Sequence, residues 1–490
     1  MNKQTILPIF ASVCMAGILS ACGGGGSGYS TPTAVTPPPP IASGSPTISG
    51  TVTGFGSLIV DGKRIDNHAV AAGKEHEDGA VVTVELKLGQ HVDVQHDGNL
   101  VAKQIRVISE VEGRVEKIDL AAFSLTVLGQ SIFINTDATL GPVTVFGAPY
   151  TKLADVKLDD VVEVHALIKT DAAGKSTMQA TRIEQEEAGE AYNRVHGIIA
   201  ELSTTAHTFK LGALFIDYTD AKLLPSGAVL ANGLEVHVSV PLGTVSGTSA
   251  IKAKVIKLSD RKGESEGKEA ELGGPIAALD AGSKSFNING IKVDASSATF
   301  NQTGKSFSDL KNGTYVVIKG SYGSDKTLKA KTIVIRGVDE EKDREVELHG
   351  TILDFISSAN FTLRGVSVDA SHAILDPVSC AGVTQLANNM QIEIRGSLTA
   401  AGKVTASSVK CEKESDHDVV VGRPGTVSNV DASAKTFSLK TERETIKVQW
   451  GTATTFIHLD AASLDGKKVV VEGTVTAGIL SAEKIVLAQK

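Results

Sequence analysis

The sequence predicts an all-β protein: a tandem array of about six small five-stranded β-barrel domains behind an export signal and a flexible tether. A strand-opening Gly-x-Val/Ile recurs as Gly50-Thr51-Val52, Gly113-Arg114-Val115, Gly197-Ile198-Ile199, Gly274-Pro275-Ile276, Gly350-Thr351-Ile352 and Gly425-Thr426-Val427. Successive glycines stand 63, 84, 77, 76 and 75 residues apart. In five copies an alternating strand follows, at Phe123-Ser-Leu125, Phe209-Lys-Leu211, Phe286-Asn-Ile288, Phe361-Thr-Leu363 and Phe437-Ser-Leu439. Side chains two apart share one face of a strand, so this spacing marks half-buried strands. With 490 residues, 41% of them hydrophobic, the chain has material for several packed cores.

Residues 1–21 have the form of a secretory signal, with Lys3 as the positive start and an apolar stretch from Ile6 to Leu19. Leu19-Ser20-Ala21-Cys22 resembles the lipobox of bacterial lipoproteins. The resemblance implies that Cys22 carries a diacylglycerol and becomes a membrane anchor. Gly23 stands where inner-membrane-retained lipoproteins have Asp, which implies the outer membrane, facing the periplasm. Residues 22–46 combine a Gly/Ser start with Pro37 to Pro40, a composition that stays extended and does not pack.

The repeats place β-domains at 47–109, 110–188, 192–260, 270–337, 345–412 and 418–490. In each, a hairpin follows the opening strand, most clearly at Asn289-Gly290. A fourth strand such as Tyr315–Ile318 or Gln391–Ile394 is preceded by a short turn, with Ser308 as its expected cap and Gly313 as its close. A last strand opens on Ala, as in Ala102-Lys-Gln-Ile105, Ala330-Lys-Thr-Ile333 and Ala482-Glu-Lys-Ile485. Five strands with a turn between the third and fourth resemble the OB-fold, and a sandwich of similar strand count is the alternative. Copies one and six depart from the pattern in their first hairpins. Charge runs at Glu184–Arg194, Ser259–Glu271, Val338–Glu347 and Glu412–Asp418 are expected to be solvated linkers, giving a string of independently mobile beads.

Gly54-Phe55-Gly56-Ser57-x-x-Val60-x-Gly62, with Leu-x-x-Gly-x-x-Val-x-Val and Ala-x-x-Ile in the later strands, is similar to the bacterial family called domain of unknown function 5666. The resemblance implies tandem small barrels in lipoproteins or exported proteins. It brings no catalytic residues with it.

Net charge is −8, with one Trp and 6 Tyr, which argues against nucleic acid as a partner. No apolar run after the N-terminus approaches the roughly 18 residues of a membrane-spanning helix. Cys380 and Cys411 fall in one copy and are expected to form a disulfide. Histidines are scattered: His91-Val-Asp93 places two polar groups on one strand face, His76 lies among acids, and His417 lies between Asp416 and Asp418. None has the three or four fixed ligands of a zinc site, so no metal or other cofactor is expected. Asp294 and Asp369 belong to turns, and Trp450 lies partly in the core of copy six. Nucleophile-elbow, P-loop and H-E-x-x-H motifs do not occur.

The expected function is a non-enzymatic cell-envelope lipoprotein acting as an interaction or spacer module. Its partners would be the membrane, through the lipid anchor, and an unidentified envelope protein or glycan. The alternative is a ligand-binding or enzymatic envelope protein with its site at an inter-domain groove, which requires polar groups converging at one joint.

Overall fold

The alternating hairpin residues fill the barrels. Phe209, Phe286, Phe361 and Phe437 are each at most 1% exposed. The structure, a computed structural model, describes residues 45–487 except 56, 68–69, 71, 77–80, 85, 148, 171–175, 187–191, 248, 260–265, 337–344, 365, 389, 400, 413–420, 441–444, 458 and 477–478. The signal and Cys22 lie outside the described residues.

Module 6 shows the barrel most completely. Its strands Val421–Asp431, Thr436–Lys440, Thr445–Ile457, Lys468–Thr476 and Ile479–Leu487 form a closed barrel in the order one-two-three-five-four. Strand three pairs parallel with strand five, and every other contact is antiparallel. Modules 2, 3, 4 and 5 repeat that pairing. Trp450 is buried in module 6 against Phe437, with ring centroids 5.8 Å apart.

Two local expectations are corrected. Phe123 does not face the core: it sits at a left-handed turn, φ 47°, and is 55% exposed. Its structural counterparts are His207, Lys284 and Lys435, at φ 52° just before the strands of modules 3, 4 and 6. Leu125 and Val127 are therefore the core pair of module 2, shifted by two residues. In module 4 the cap of the short 3-10 turn Phe307–Asp309 is Ser306, not Ser308. Its backbone N–H donates to Asp309 Oδ2 at 2.9 Å, closing a reciprocal capping arrangement.

The bead-on-string expectation also fails. Residues 41–490 cluster as one compact unit. The first strand of module 1 (Thr47–Phe55) pairs parallel with that of module 4 (Glu269–Pro275) and, at Gly54 and Phe55, with that of module 5 (Glu345–Ser357). The first strands of modules 2 (Val111–Asp119) and 3 (Tyr192–Ile198) pair at Val111–Glu112 and Arg194–Val195. Modules 1 and 5 share one apolar core, and modules 2 and 3 share another. Leu167 of module 2 packs with Tyr315 and Val317 of module 4. An unpaired strand edge is a template for pairing, and here the leading edges are satisfied by neighbouring modules. Gly54 permits the closest approach, since a Cβ there would lie 2.3 Å from the Glu347 carbonyl oxygen.

Candidate functional site at the module joints

On a strand whose inward residues fill a barrel, the alternate residues face outward, and here the outward face is covered by another module. A polar residue directly precedes the strand-opening glycine in four modules: Ser49, Glu112, His196 and His349. Across from each runs a fourth strand with polar residues at every second position. These are His91-Val-Asp93, Glu163-Val-His165, Glu235-Val-His237 and Glu393-Ile-Arg395. Strand pairing sets Ser49 opposite Asp93, Glu112 opposite Glu163, His196 opposite His237, and His349 opposite Glu393. A polar constellation thus repeats along with the core pattern. Its sequence signal, polar alternation beside each glycine, is indistinguishable from a solvated face until the modules are seen to stack.

Modules 1, 2, 3 and 4 converge on a cavity of about 130 Å³. His91 and His76 both line it. His91 is buried, with Nδ1 2.7 Å from Glu110 Oε1 and Nε2 3.2 Å from Ser49 Oγ. Glu110, 1% exposed, also accepts the Ala166 backbone N–H at 2.6 Å. On its other side stands His196, whose Nε2 is 2.6 Å from Glu235 Oε1. The His196 ring stacks on His237 at 4.2 Å with 4° between planes. Burial, aided by the His196 ring beside it, pushes the His237 pKa well below the ordinary imidazole range.

Ser49, His91 and Glu110 stand in the order of a hydrolase relay. The strand carrying Ser49, however, is laddered on both edges, to the fourth strand of module 1 and the first of module 4. Its backbone donors are committed to sheet ladders and, at Thr51, to the Asp61 carboxylate, whereas an oxyanion hole needs donors aimed at the reacting oxygen.

Beside the cavity lies an ionic ladder. Arg194, Glu112, Glu163 and Glu184 face one another across four successive strands. Lys74 of module 1 reaches in, with Nζ 2.8 Å from Glu112, 3.1 Å from Glu163 and 3.8 Å from Glu186. Burial opposes the Lys74 charge, but Glu112, Glu163 and Glu186 hold its pKa above the ordinary lysine range. Burial likewise raises Glu184, yet the hydrogen bond and charge of Arg182, helped by Lys87, hold it well below the usual carboxylate range. In the charged runs expected to be solvated, Glu184 is buried and Arg194, Ser259, Glu271, Glu347 and Glu412 are half-buried. Their middles, 187–191, 260–265, 337–344 and 413–420, lie outside the described residues, as does His417.

At the joint of modules 1 and 5, His349 sits between Glu347 Oε1 (2.6 Å from Nε2) and Glu412 Oε1 (2.9 Å from Nδ1). Burial alone would lower its pKa, but these two hydrogen bonds, with the Glu412 and Glu393 charges, raise it to about 9. At the joint of modules 1 and 4, Asp61 accepts the Tyr315 hydroxyl at 2.8 Å and the Thr51 N–H at 3.3 Å. Gly50 and Gly273 make room for it, since a Cβ on either would fall within about 2 Å of Asp61 Oδ2. Asp294 and Asp369 cap turns at Ser296 and Ser371, as expected. Cys380 and Cys411 form the expected disulfide.

The repeated strand order defines a tandem array of OB-like β-barrels. Residues 112–184, 273–334 and 349–410 match the family described as "Domain of unknown function (DUF5666)", so the chain carries tandem domains of that family. No curated protein matches the chain. A solved structure titled "drosophila Unr CSD456" is similar at 16% identity, covering 46% of this chain and 97% of that one, with a TM-score of 0.13.

Proposed function

We propose that the protein is a lipid-anchored, non-enzymatic envelope lipoprotein whose modules build one binding body, with a ligand seat in the cavity between modules 1, 2, 3 and 4. The observation that carries this reading is the convergence of His91, His196, His237, Glu110 and Glu235 from separate modules on one cavity. A spacer of separately filled barrels has no use for buried polar groups at its joints, because each costs desolvation unless it is paired. The anchor is Cys22, in the outer membrane and facing the periplasm, and an envelope protein or glycan is the expected partner class. The −8 net charge supports no nucleic-acid role.

Native mass spectrometry of the chain purified from envelopes tests the seat. The wild type is expected to carry a non-covalent small-molecule adduct. Ser239→Phe, which fills the cavity wall, is expected to lose it while keeping the wild-type unfolding transition. A bare wild-type mass, or an adduct retained by the folded variant, overturns the binding reading. Metabolic labelling with a fatty-acid analogue tests the anchor separately: it should mark the wild type and miss Cys22→Ala.

A further inference from the structure

Independently of the cavity reading, we propose that Glu163, His165 and Glu184 on the outer face of module 2 form a seat for a divalent transition-metal ion, with zinc the best match to the ligands. Glu163 and His165 lie two apart on the fourth strand (Val161–Thr170), and Glu184 lies on the fifth (Ser176–Gln185), directly opposite Glu163. One ligand atom from each falls within 4.8 Å of the other two. Two carboxylates opposed across strands repel unless cations meet them, and here Lys74 meets Glu163 while Arg182 and Lys87 meet Glu184.

The imidazole supplies the second observation. His165 is fully buried, and its Nδ1 lies 2.6 Å from the Ile108 carbonyl oxygen. A carbonyl only accepts, so Nδ1 carries a proton, and in the neutral ring Nε2 then presents a lone pair. That nitrogen makes no hydrogen bond, although it is wholly buried. It lies 3.4 Å from Glu163 Oε1. Two ligands at about 2.0–2.1 Å from a tetrahedral zinc ion are separated by roughly 3.4 Å. The pair is too far apart for a good hydrogen bond and correctly spaced for one ion. A histidine anchored through its other nitrogen by a backbone carbonyl is also the usual posture of a metal ligand.

Module 5 provides the contrast. His349 lies among Glu347, Glu393 and Glu412, but both of its nitrogens bond carboxylates, so it is held as a cation with no lone pair to give. At the module 2 seat the competitors are Lys74, whose ammonium touches Glu163 and lines the cavity next door, and Arg182 and Lys87, which both hold Glu184. Metal uptake should therefore compete with these cations.

The test uses the full chain, stripped with a chelator and titrated with ZnCl2 by calorimetry and with CoCl2 by visible absorption. The wild type is expected to take up one equivalent and, with cobalt, to show the d–d bands of a four-coordinate site. His165→Asn keeps a donor for the Ile108 carbonyl but lacks Nε2, and should bind about 10-fold or more weakly. Lys74→Met should bind more tightly than the wild type, because the cation competing for Glu163 is gone. Should His165→Asn fail to fold, Glu184→Gln carries the same expectation. No uptake by the wild type, undiminished uptake by the folded ligand variant, or weaker uptake by Lys74→Met would each overturn the proposal.

Discussion

Replacing Asp61 by Asn is expected to stabilise the joint of modules 1 and 4 at neutral pH and to do nothing at pH 4. Burial raises the Asp61 carboxyl from 3.8 to about 6, against the lowering effects of the Tyr315 hydroxyl, Arg336, the Thr51 N–H and His91. The folded chain therefore binds this proton more tightly than the unfolded chain. Stability associated with the group is greatest below about 3.8 and falls as pH rises through about 6. At roughly 1.4 kcal/mol per pKa unit the full cost above pH 7 is about 3 kcal/mol, and screening at this half-buried residue reduces it to about 1–3 kcal/mol. Asn removes the charge and keeps both contacts, its carbonyl accepting the Thr51 N–H and its amide donating to the Tyr315 oxygen. Calorimetric unfolding of both chains at pH 4 and pH 7.5 checks this. A variant that unfolds at or below the wild-type temperature at pH 7.5 would refute the reasoning. So would an equal gain at both pH values.

Three further outcomes are expected. His349 has a folded-state pKa of about 9, above its ordinary 6.5, so its stabilisation is complete below 6.5 and lost as pH rises through about 9. Urea unfolding at pH 6 and pH 9.5 should show that loss in the wild type and a flatter profile in His349→Gln. Reducing Cys380–Cys411 opens a link spanning 31 positions and should cost about 3–4 kcal/mol by loop-closure entropy, seen as a lower urea midpoint for the unfolding of the core that modules 1 and 5 share. Gly54→Ala drives a methyl group into the Glu347 carbonyl and should cost about 1–3 kcal/mol. Limited proteolysis should then cut at the joint of modules 1 and 5 in the variant before the wild type, and equal cleavage would argue against that joint.

The sequence by itself determined the barrels. A Phe-x-Leu period, a hairpin turn and a last strand opening on Ala are local facts, and each buries side chains within its own module, as Phe286 and Phe437 do. The disulfide was legible too, because two cysteines in one small module have few other partners. The joints were not legible. Glu112, Glu163, His196 and His237 alternate with core residues in a pattern that a solvated strand face would share. Whether such a face meets water or another module depends on how strands distant in the chain pair. Tertiary structure alone set Thr47–Ser49 beside Ala270–Leu272, and Lys74 onto Glu112 and Glu163. The physical reason is range: period and turn chemistry act over a few residues, whereas the strand edge that Gly54 leaves open is filled by Glu347, nearly 300 positions away.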